Sequence, residues 1–367
     1  MKSEEILLNN FELSYPLDKL APLSDILFLD IETTGFLSAN SSIYLIGCAY
    51  YEYGNFKIKQ WFAQTPEEEQ VVLQAFLQFA ENFSYLIHYN GNTFDLPFLK
   101  KKAEKYEIPF NLLEKKGLDI YRRITPYKNF LKISDCKLKT IERFLGIIRD
   151  DTYSGGELIQ VYKEYVESGD YDLYHSLILH NADDMKGMLE ILSILSYYDL
   201  FNQPLKARKV QANFYKDIHG VPRKELIIDL VLGSPLPVEI NFMGKGCHFK
   251  AYHHEGTLIV PIYEEELKYF YANFKDYYYL PAEDTALHKS IASFVDKEYR
   301  EAATAKNCYT RKSSLYLPQW DLLVEPFFKR SYESNDYFFE LTDEVKKNRQ
   351  LFNEYASHLL NAIAFQK

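Results

Sequence analysis

The sequence predicts an α/β domain, a mixed sheet with flanking helices, followed by a smaller α+β domain. Three observations carry this. Apolar runs of strand length follow one another closely at 26–32, 43–50 and 55–62, which reads as a meander. Helical patterns then alternate with short strand patterns, which reads as crossovers onto the same sheet. After Leu200 the pattern breaks at Gln203-Pro204, and a new series of strand-like runs begins. The 367 residues suit two domains. The expected division is an N-terminal extension over 1–21, the α/β domain over 22–200 and the α+β domain over 201–367.

The elements follow in order. A helix is expected from Pro66 to about Phe83, with Thr65 as its cap and Glu67, Glu68 and Glu69 in its first turn. A short strand at 84–88 comes next, then a turn at Asn90-Gly91-Asn92. Pro97 suits a first helical turn, so Asp95 is a candidate cap for the Lys-rich helix that follows. A further strand or turn near 118–120 and an amphipathic helix over 137–146 with a glycine stop precede a long helix over about 171–198. Beyond the break, residues 225–263 read as an antiparallel meander, with turn signals at Gly233-Ser234-Pro235, Gly244-Lys245-Gly246 and Glu255-Gly256. Helices are expected at 264–274, 285–305 and 343–364, the last capped at Thr342-Asp343.

Bulk properties narrow the function classes. No apolar run approaches the length of a membrane span, and Met1-Lys2-Ser3-Glu4-Glu5 is too polar and acidic for a signal peptide. Cys48, Cys136, Cys247 and Cys308 are far apart in sequence, so neither zinc nor a disulfide framework is expected, and a reduced cytoplasm is the expected location. Cys247, His248, His253 and His254 fit no standard metal spacing and read as a hairpin with surface histidines. The net charge of −10 is unevenly spread. Residues 201–367 hold 22 basic and 22 acidic side chains, which leaves 20 basic and 30 acidic in residues 1–200. The negative excess therefore lies in the first half.

That half carries four carboxylates in three short segments. The first is Phe28-Leu29-Asp30-Ile31-Glu32-Thr33-Thr34-Gly35. On a strand, Asp30 and Glu32 leave the same face. Side by side they repel and cost desolvation unless a hard, oxygen-preferring cation such as Mg²⁺ or Mn²⁺ neutralises them. Taken alone, Asp-x-Glu is usually a solvated acidic strand end. The second segment is His88-Tyr89-Asn90-Gly91-Asn92-Thr93-Phe94-Asp95-Leu96-Pro97-Phe98-Leu99, in which His88 reads as strand packing. The third is His180-Asn181-Ala182-Asp183-Asp184 on the long helix. His180 and Asp184 are four apart and share a face, so an imidazole there can take a proton from water beside metals that Asp184 helps bind. Asp183 and Asp184 cannot both point inward, and the spacing from His180 favours Asp184.

These segments resemble the motifs of the DEDD, or DnaQ-like, 3′–5′ exonuclease superfamily, which has an RNase H-like fold. Within it the chain most resembles the bacterial YprB-like branch of predicted exonucleases, over residues 22–198. Asp30 and Glu32 match the first motif, Asp95 the second and Asp184 the last aspartate of the third. The Asn-Gly-x-x-Phe-Asp-x-Pro-Phe-Leu run is the most specific piece, since RNase H and transposase relatives share the carboxylates and lack this loop. One departure concerns the third motif. The superfamily places either a Tyr four residues before the aspartate or a His five residues before it, and this chain has His180 at the four-residue spacing.

The resemblance implies a two-metal mechanism with two divalent cations, Mg²⁺ or Mn²⁺. Asp30 would bridge both, Glu32 and Asp184 would complete one site, and Asp95 would hold the second directly or through water. His180 would assist deprotonation of the attacking water. Glu32 and the backbone after it would grip the terminal 3′-hydroxyl. Thr33, Thr34, Asn90 and Phe94 are candidate substrate contacts, and Phe36, Phe94 and Phe98 are candidates for stacking on terminal bases, with core packing as the alternative for each ring. The implied partner is nucleic acid, a single strand or a 3′ end, DNA or RNA. Arg122, Arg123, Lys137 and Lys139 are candidate phosphate contacts, and Arg300, Lys306, Arg311 and Lys312 with Tyr309 and Tyr316 a candidate strand contact in the second half. The alternative is a nucleic-acid-binding or scaffold protein with a vestigial nuclease fold.

Overall fold

The structure, a computed structural model, describes residues 1–148 and 155–365. The chain divides into two compact units, Met1–Tyr198 and Asp199–Lys367.

In the first unit, strands β1 (Lys2–Leu8), β2 (Ile26–Thr33), β3 (Ile43–Glu52), β4 (Asn55–Phe62), β5 (Tyr85–His88) and β6 (Lys116–Asp119) form one sheet among the described residues. Its order is β1-β4-β3-β2-β5-β6. The β1–β4, β3–β4 and β2–β3 pairs are antiparallel, and β5 and β6 join in parallel, so the sheet is mixed. Within the extension expected over 1–21, Lys2–Leu8 forms a strand that pairs along β4 from Phe62 to Phe56. Its run of polar residues hides a strand because it lies on the sheet edge, where charge is tolerated. Tyr50 donates to Glu5 at 3.0 Å and Tyr174 to Glu4 at 2.8 Å.

The helices of this unit are α1 (Glu69–Ala80), α2 (Asp95–Lys105), α3 (Ile120–Ile124), α4 (Lys128–Leu131), α5 (Leu138–Leu145), α6 (Gly155–Ser168) and α7 (Tyr171–Glu190). Strand alternation sends every second residue of β2 into one core. Leu27, Leu29 and Ile31 pack with Val72, Leu73 and Phe76 of α1 and Leu96, Phe98 and Leu99 of α2. On the other face, Tyr44 and Phe62 pack with Tyr162 and Tyr165 of α6 and Tyr174, Leu177 and Ile178 of α7. Asp30 and Glu32 alternate with the first set and so share the face covered by α7. Helix α7 is capped by Asp170, whose carboxylate accepts from Asp172 N at 2.7 Å. It ends at Glu190 in a 3₁₀ turn, Ile191–Ile194, after which a helix resumes at Leu195–Asn202, so the helix expected over about 171–198 is present with one interruption. Thr65 makes no capping side-chain bond; the Glu68 carboxylate instead accepts from Gln64 N at 2.7 Å.

A buried ion pair fixes α2 against the sheet. Glu69 (fully buried) lies 3.1 Å from Lys102 Nζ, accepts from Ile43 N at 2.7 Å, and accepts from Tyr106 Oη at 2.5 Å. One carboxylate thus ties α1, α2 and β3 together. Lys102→Ala would leave the buried Glu69 charge with the more exposed Lys105, 3.6 Å away, as its remaining cation, at a cost of roughly 1–3 kcal/mol. Denaturant unfolding is expected to show it as a lower midpoint.

In the second unit, β7 (Lys206–Lys216), β8 (Pro222–Gly244) and β9 (Cys247–Pro261) form an antiparallel sheet. Of the turns expected within 225–263, the one at Gly244-Lys245-Gly246 joins β8 to β9, whereas Gly233-Ser234-Pro235 and Glu255-Gly256 lie inside strands, where β8 shifts register between Val231 and Leu236 instead of turning. Strands β10 (Tyr263–Phe270), β11 (Tyr277–Leu280), β12 (Thr285–His288), β13 (Glu301–Ala302), β14 (Tyr309–Gln319), β15 (Phe327–Phe328) and β16 (Tyr337–Glu340) form two further sheets. The terminal helical region is present as Asp343–Lys347 and Arg349–Phe365, and Thr342 Oγ1 accepts from Val345 N at 3.2 Å. The helices expected at 264–274 and 285–305 do not form as such. Tyr263–Phe270 is a strand paired with β14, and 285–305 holds β12, the short helix Lys289–Ala292 and β13. Glu264, Glu265 and Glu266 look helical in sequence, but each meets a base elsewhere: Lys224 at 2.5 Å, Arg330 at 2.7 Å and Arg311 at 3.3 Å. Such pairs favour the strand. Among the described residues, no helix is long and apolar enough to cross a membrane.

Candidate active site

The four carboxylates meet at the C-terminal end of β2. Asp30 and Glu32 come from the strand, Asp95 from the first residue of α2, and Asp184 from the middle of α7. Glu32, His180 and Asp184 offer oxygen and nitrogen atoms that all lie within 4.8 Å of one another. His180 Nε2 is 3.4 Å from Asp184 Oδ2 and 3.7 Å from Glu32 Oε1, and the imidazole is buried. Asp184, not Asp183, faces this cluster.

Electrostatics mark the site as underneutralised. Burial, followed by the charges of Asp95, Glu32 and Asp184, holds the Asp30 carboxyl well above the usual range. Burial likewise pushes Asp95 up to about 7, opposed by its own backbone N–H and that of Ile31. Ile31 N donates to Asp95 Oδ1 at 3.1 Å, a bond across the β2–α2 junction that aims the carboxyl at the strand. Asp95 therefore opens α2 without capping it, since no side-chain cap bond forms there. Four oxygen donors with this surplus of negative charge and one adjacent imidazole fit a hard divalent cation.

Side chains outside the sequence motifs hold these groups. Tyr44 is buried, stacks on Tyr162 at 4.3 Å between ring centres, and gives its hydroxyl hydrogen bond to Glu32. Burial and the Glu32 and Asp30 charges push that phenol well above its ordinary value. Asn181 Nδ2 donates to Asp30 Oδ2 at 2.9 Å, and Gln60 Nε2 donates to Asn181 Oδ1 at 2.9 Å. Asp119 organises the second loop: its carboxylate accepts from Asn90 N (3.0 Å), Asn92 N (3.3 Å) and Arg122 N (3.2 Å). None of these was singled out in sequence. Asn181 stands beside His180 in the third motif, and that adjacency was the available signal; Tyr44 and Gln60 lie on ordinary strands and gave none.

The remaining expectations divide. Thr33 donates to Gly35 O at 2.8 Å, and Thr34 Oγ1 accepts from Ser42 N at 2.9 Å, so both hydroxyls close the loop after β2. Asn90 adopts φ +62° at the turn leading to Asp95. His88 packs at the end of β5: a Cβ on Gly91 would come within 2.7 Å of its ring, which is why glycine follows Asn90. Phe98 is 3 % exposed and belongs to the core. Phe36 is 80 % exposed and meets the Phe94 ring edge-on at 6.4 Å. Lys137 and Lys139 are exposed around the start of α5, whereas Arg123 lies over the Tyr198 ring at 4.3 Å. In the second unit, Lys306, Arg311 and Lys312 pair with Glu333, Glu266 and Glu340, Arg300 covers Tyr278, and Tyr316 is fully buried, so this group is not an open basic surface.

A mixed sheet with carboxylates converging at the end of its central strand is an RNase H-like arrangement. In agreement, residues 27–196 match the family model of the RNase_H superfamily. Solved structures similar to this chain include the family B DNA polymerase of the hyperthermophilic archaeon Pyrobaculum calidifontis, at 12% identity over 66% of this chain and 33% of that one, TM-score 0.37. They also include the zinc-ion-bound form of an E. coli exonuclease I–single-stranded DNA complex, at 12% identity over 57% of this chain and 55% of that one, TM-score 0.29. A product-bound exonuclease I is similar at 12% identity over 57% and 59% of the two chains, TM-score 0.29. This chain thus spans less than two thirds of each of these structures. A comparison with curated proteins found no match.

Proposed function

We propose that this protein is a metal-dependent 3′–5′ exonuclease, hydrolysing phosphodiester bonds at the 3′ end of a single strand of DNA or RNA. The supporting observation is the convergence of Asp30, Glu32, Asp95 and Asp184, with the Asp30 and Asp95 carboxyls both pushed upward by burial and, for Asp30, by the other three acids. A vestigial scaffold would gain nothing from such a cluster, which only destabilises it.

Asp30, Glu32, Asp95 and Asp184 would hold two divalent cations, Mg²⁺ or Mn²⁺, which when bound would supply Lewis acidity toward the phosphodiester and acidify the attacking water. His180 would take the proton from that water at Nε2, the atom that faces Glu32 and Asp184. Those carboxylates would steady the resulting imidazolium. Its four-residue spacing from Asp184 is served by the helix, which places both side chains one turn apart on one face. Tyr44 keeps Glu32 oriented by its hydrogen bond. Thr33 and Thr34 would act through the loop shape they fix, and Asn90 through the turn that delivers Asp95. Catalysis would reside in residues 22–200, and the protein would work in the cytoplasm.

Phe36, exposed beside Phe94, would stack on a base near the strand end. Phe36→Ala is expected to raise KM for an oligonucleotide about tenfold, from a stacking loss of roughly 1–3 kcal/mol, with little change in kcat. Steady-state kinetics on a short oligothymidylate check this. The reading itself is tested with one oligonucleotide labelled at its 3′ end and one at its 5′ end, in Mn²⁺ or Mg²⁺. Early release of labelled mononucleotide from the 3′-labelled strand supports it; internal fragments from both would contradict it. Matched DNA and RNA strands identify the substrate.

A further inference from the structure

We propose that Gln60, Gly47 and Asn181 form a positioning relay that holds the Asp30 carboxylate in its metal-binding orientation, an inference that rests on the nuclease reading above. Asp30 pairs with Gly47 across β2 and β3, and Gly47 pairs with Gln60 across β3 and β4. The three residues form one row across adjacent strands. With strands about 4.8 Å apart, the outer two side chains cannot meet directly over the middle one. Asn181 descends from α7 and spans the gap. Its Nδ2 donates to Asp30 Oδ2 at 2.9 Å, and its Oδ1 accepts from Gln60 Nε2 at 2.9 Å.

The polarity of this chain of bonds is set from the backbone outward. Gln60 Nε2 also donates to the carbonyl oxygen of Ile178 at 2.9 Å, and a carbonyl can only accept. The nitrogen of Gln60 must therefore face Asn181, so the oxygen of Asn181 faces Gln60 and its nitrogen faces Asp30. Gln60 Oε1 has no partner among the described residues, so the reverse orientation would gain nothing and would set oxygen against two acceptors. Gln60 and Asn181 are both fully buried, which keeps water from competing for these bonds. Gly47 makes the crossing possible: a Cβ there would stand 2.0 Å from Asn181 Oδ1. The glycine is in the strand because the amide lies over it.

Groups that orient metal ligands from behind typically change affinity or activity 10–100-fold when removed. The full-length protein is titrated with Mn²⁺ and free ion is read by electron paramagnetic resonance, with thermal melting in parallel. Asn181→Leu and Gly47→Ala are each expected to weaken Mn²⁺ binding by about tenfold or more. Gln60→Leu, which touches no carboxylate, is expected to weaken it in the same direction. The Asn181→Leu, Gln60→Leu double variant is expected to bind no worse than Asn181→Leu alone, because the two act through one bond. Additive losses, or folded variants that bind Mn²⁺ as the wild type does, would overturn the relay while leaving the nuclease reading intact. A wild-type protein that fails to bind Mn²⁺ would overturn both. Three positions on three elements keep the test decisive if one variant fails to fold.

Discussion

Asp30→Ala is expected to abolish mononucleotide release from a 3′-labelled strand. Asp30 is the carboxylate on which the charges of the other three act, and it would hold the divalent cations together with them. Charge stabilisation by a bound cation is worth several kcal/mol, so losing this ligand should lower kcat by roughly 10²–10³-fold or more. The fold should survive, since Asp30 lies at the end of a strand whose core residues are Leu27, Leu29 and Ile31. Asp30→Asn separates charge from shape: its amide can still meet Asn181, so a comparable loss in that variant assigns the effect to the missing charge. Full turnover in Asp30→Ala, with melting unchanged, would sink the exonuclease assignment.

Asp95→Asn is expected to stabilise the metal-free protein above neutral pH. In the folded state this carboxyl is raised from 3.8 to about 7, whereas in the unfolded chain it returns to its ordinary value. The folded protein therefore holds the proton more tightly, and stability falls as pH rises from about 4 through about 7. Above that window the ionised, buried carboxylate costs at most about 4 kcal/mol, and below pH 4 it costs nothing. The amide keeps an oxygen for the Ile31 N–H, so the variant removes the charge and retains the bond. Denaturant unfolding at pH 8 and at pH 5 should show a gain at pH 8 that shrinks toward pH 5. Saturating Mn²⁺ should then stabilise the wild type more than the variant. A loss of stability at pH 8 would mean that the carboxylate is satisfied without metal.

The sheet of the first unit was legible because its central strands are continuous apolar runs and its helices carry clear stripes. The Asp30 and Glu32 pair was legible for a related reason: a strand forces residues two apart onto one face, whatever surrounds it. Asp95 was placed by its turn, although its role as a cap was not, because the nearer acceptor demand comes from Ile31 on another strand. What stayed hidden depends on pairing. Lys2–Leu8 is charged enough to pass for a tail, and only the Tyr50, Tyr174 and β4 partners make it a strand. The glutamates of β10 pass for a helix surface until Lys224, Arg330 and Arg311 are seen across from them. Gln60 and Gly47 carry no local signal, since their task exists only where three strands and α7 cross.

The most direct test is diffraction from crystals soaked in Mn²⁺, read at the manganese edge. Two anomalous peaks about 3.5–4 Å apart are expected, enclosed by Asp30, Glu32, Asp95 and Asp184, with Asn181 still bonded to Asp30. Crystals that show no manganese at these carboxylates would contradict the metal-dependent reading.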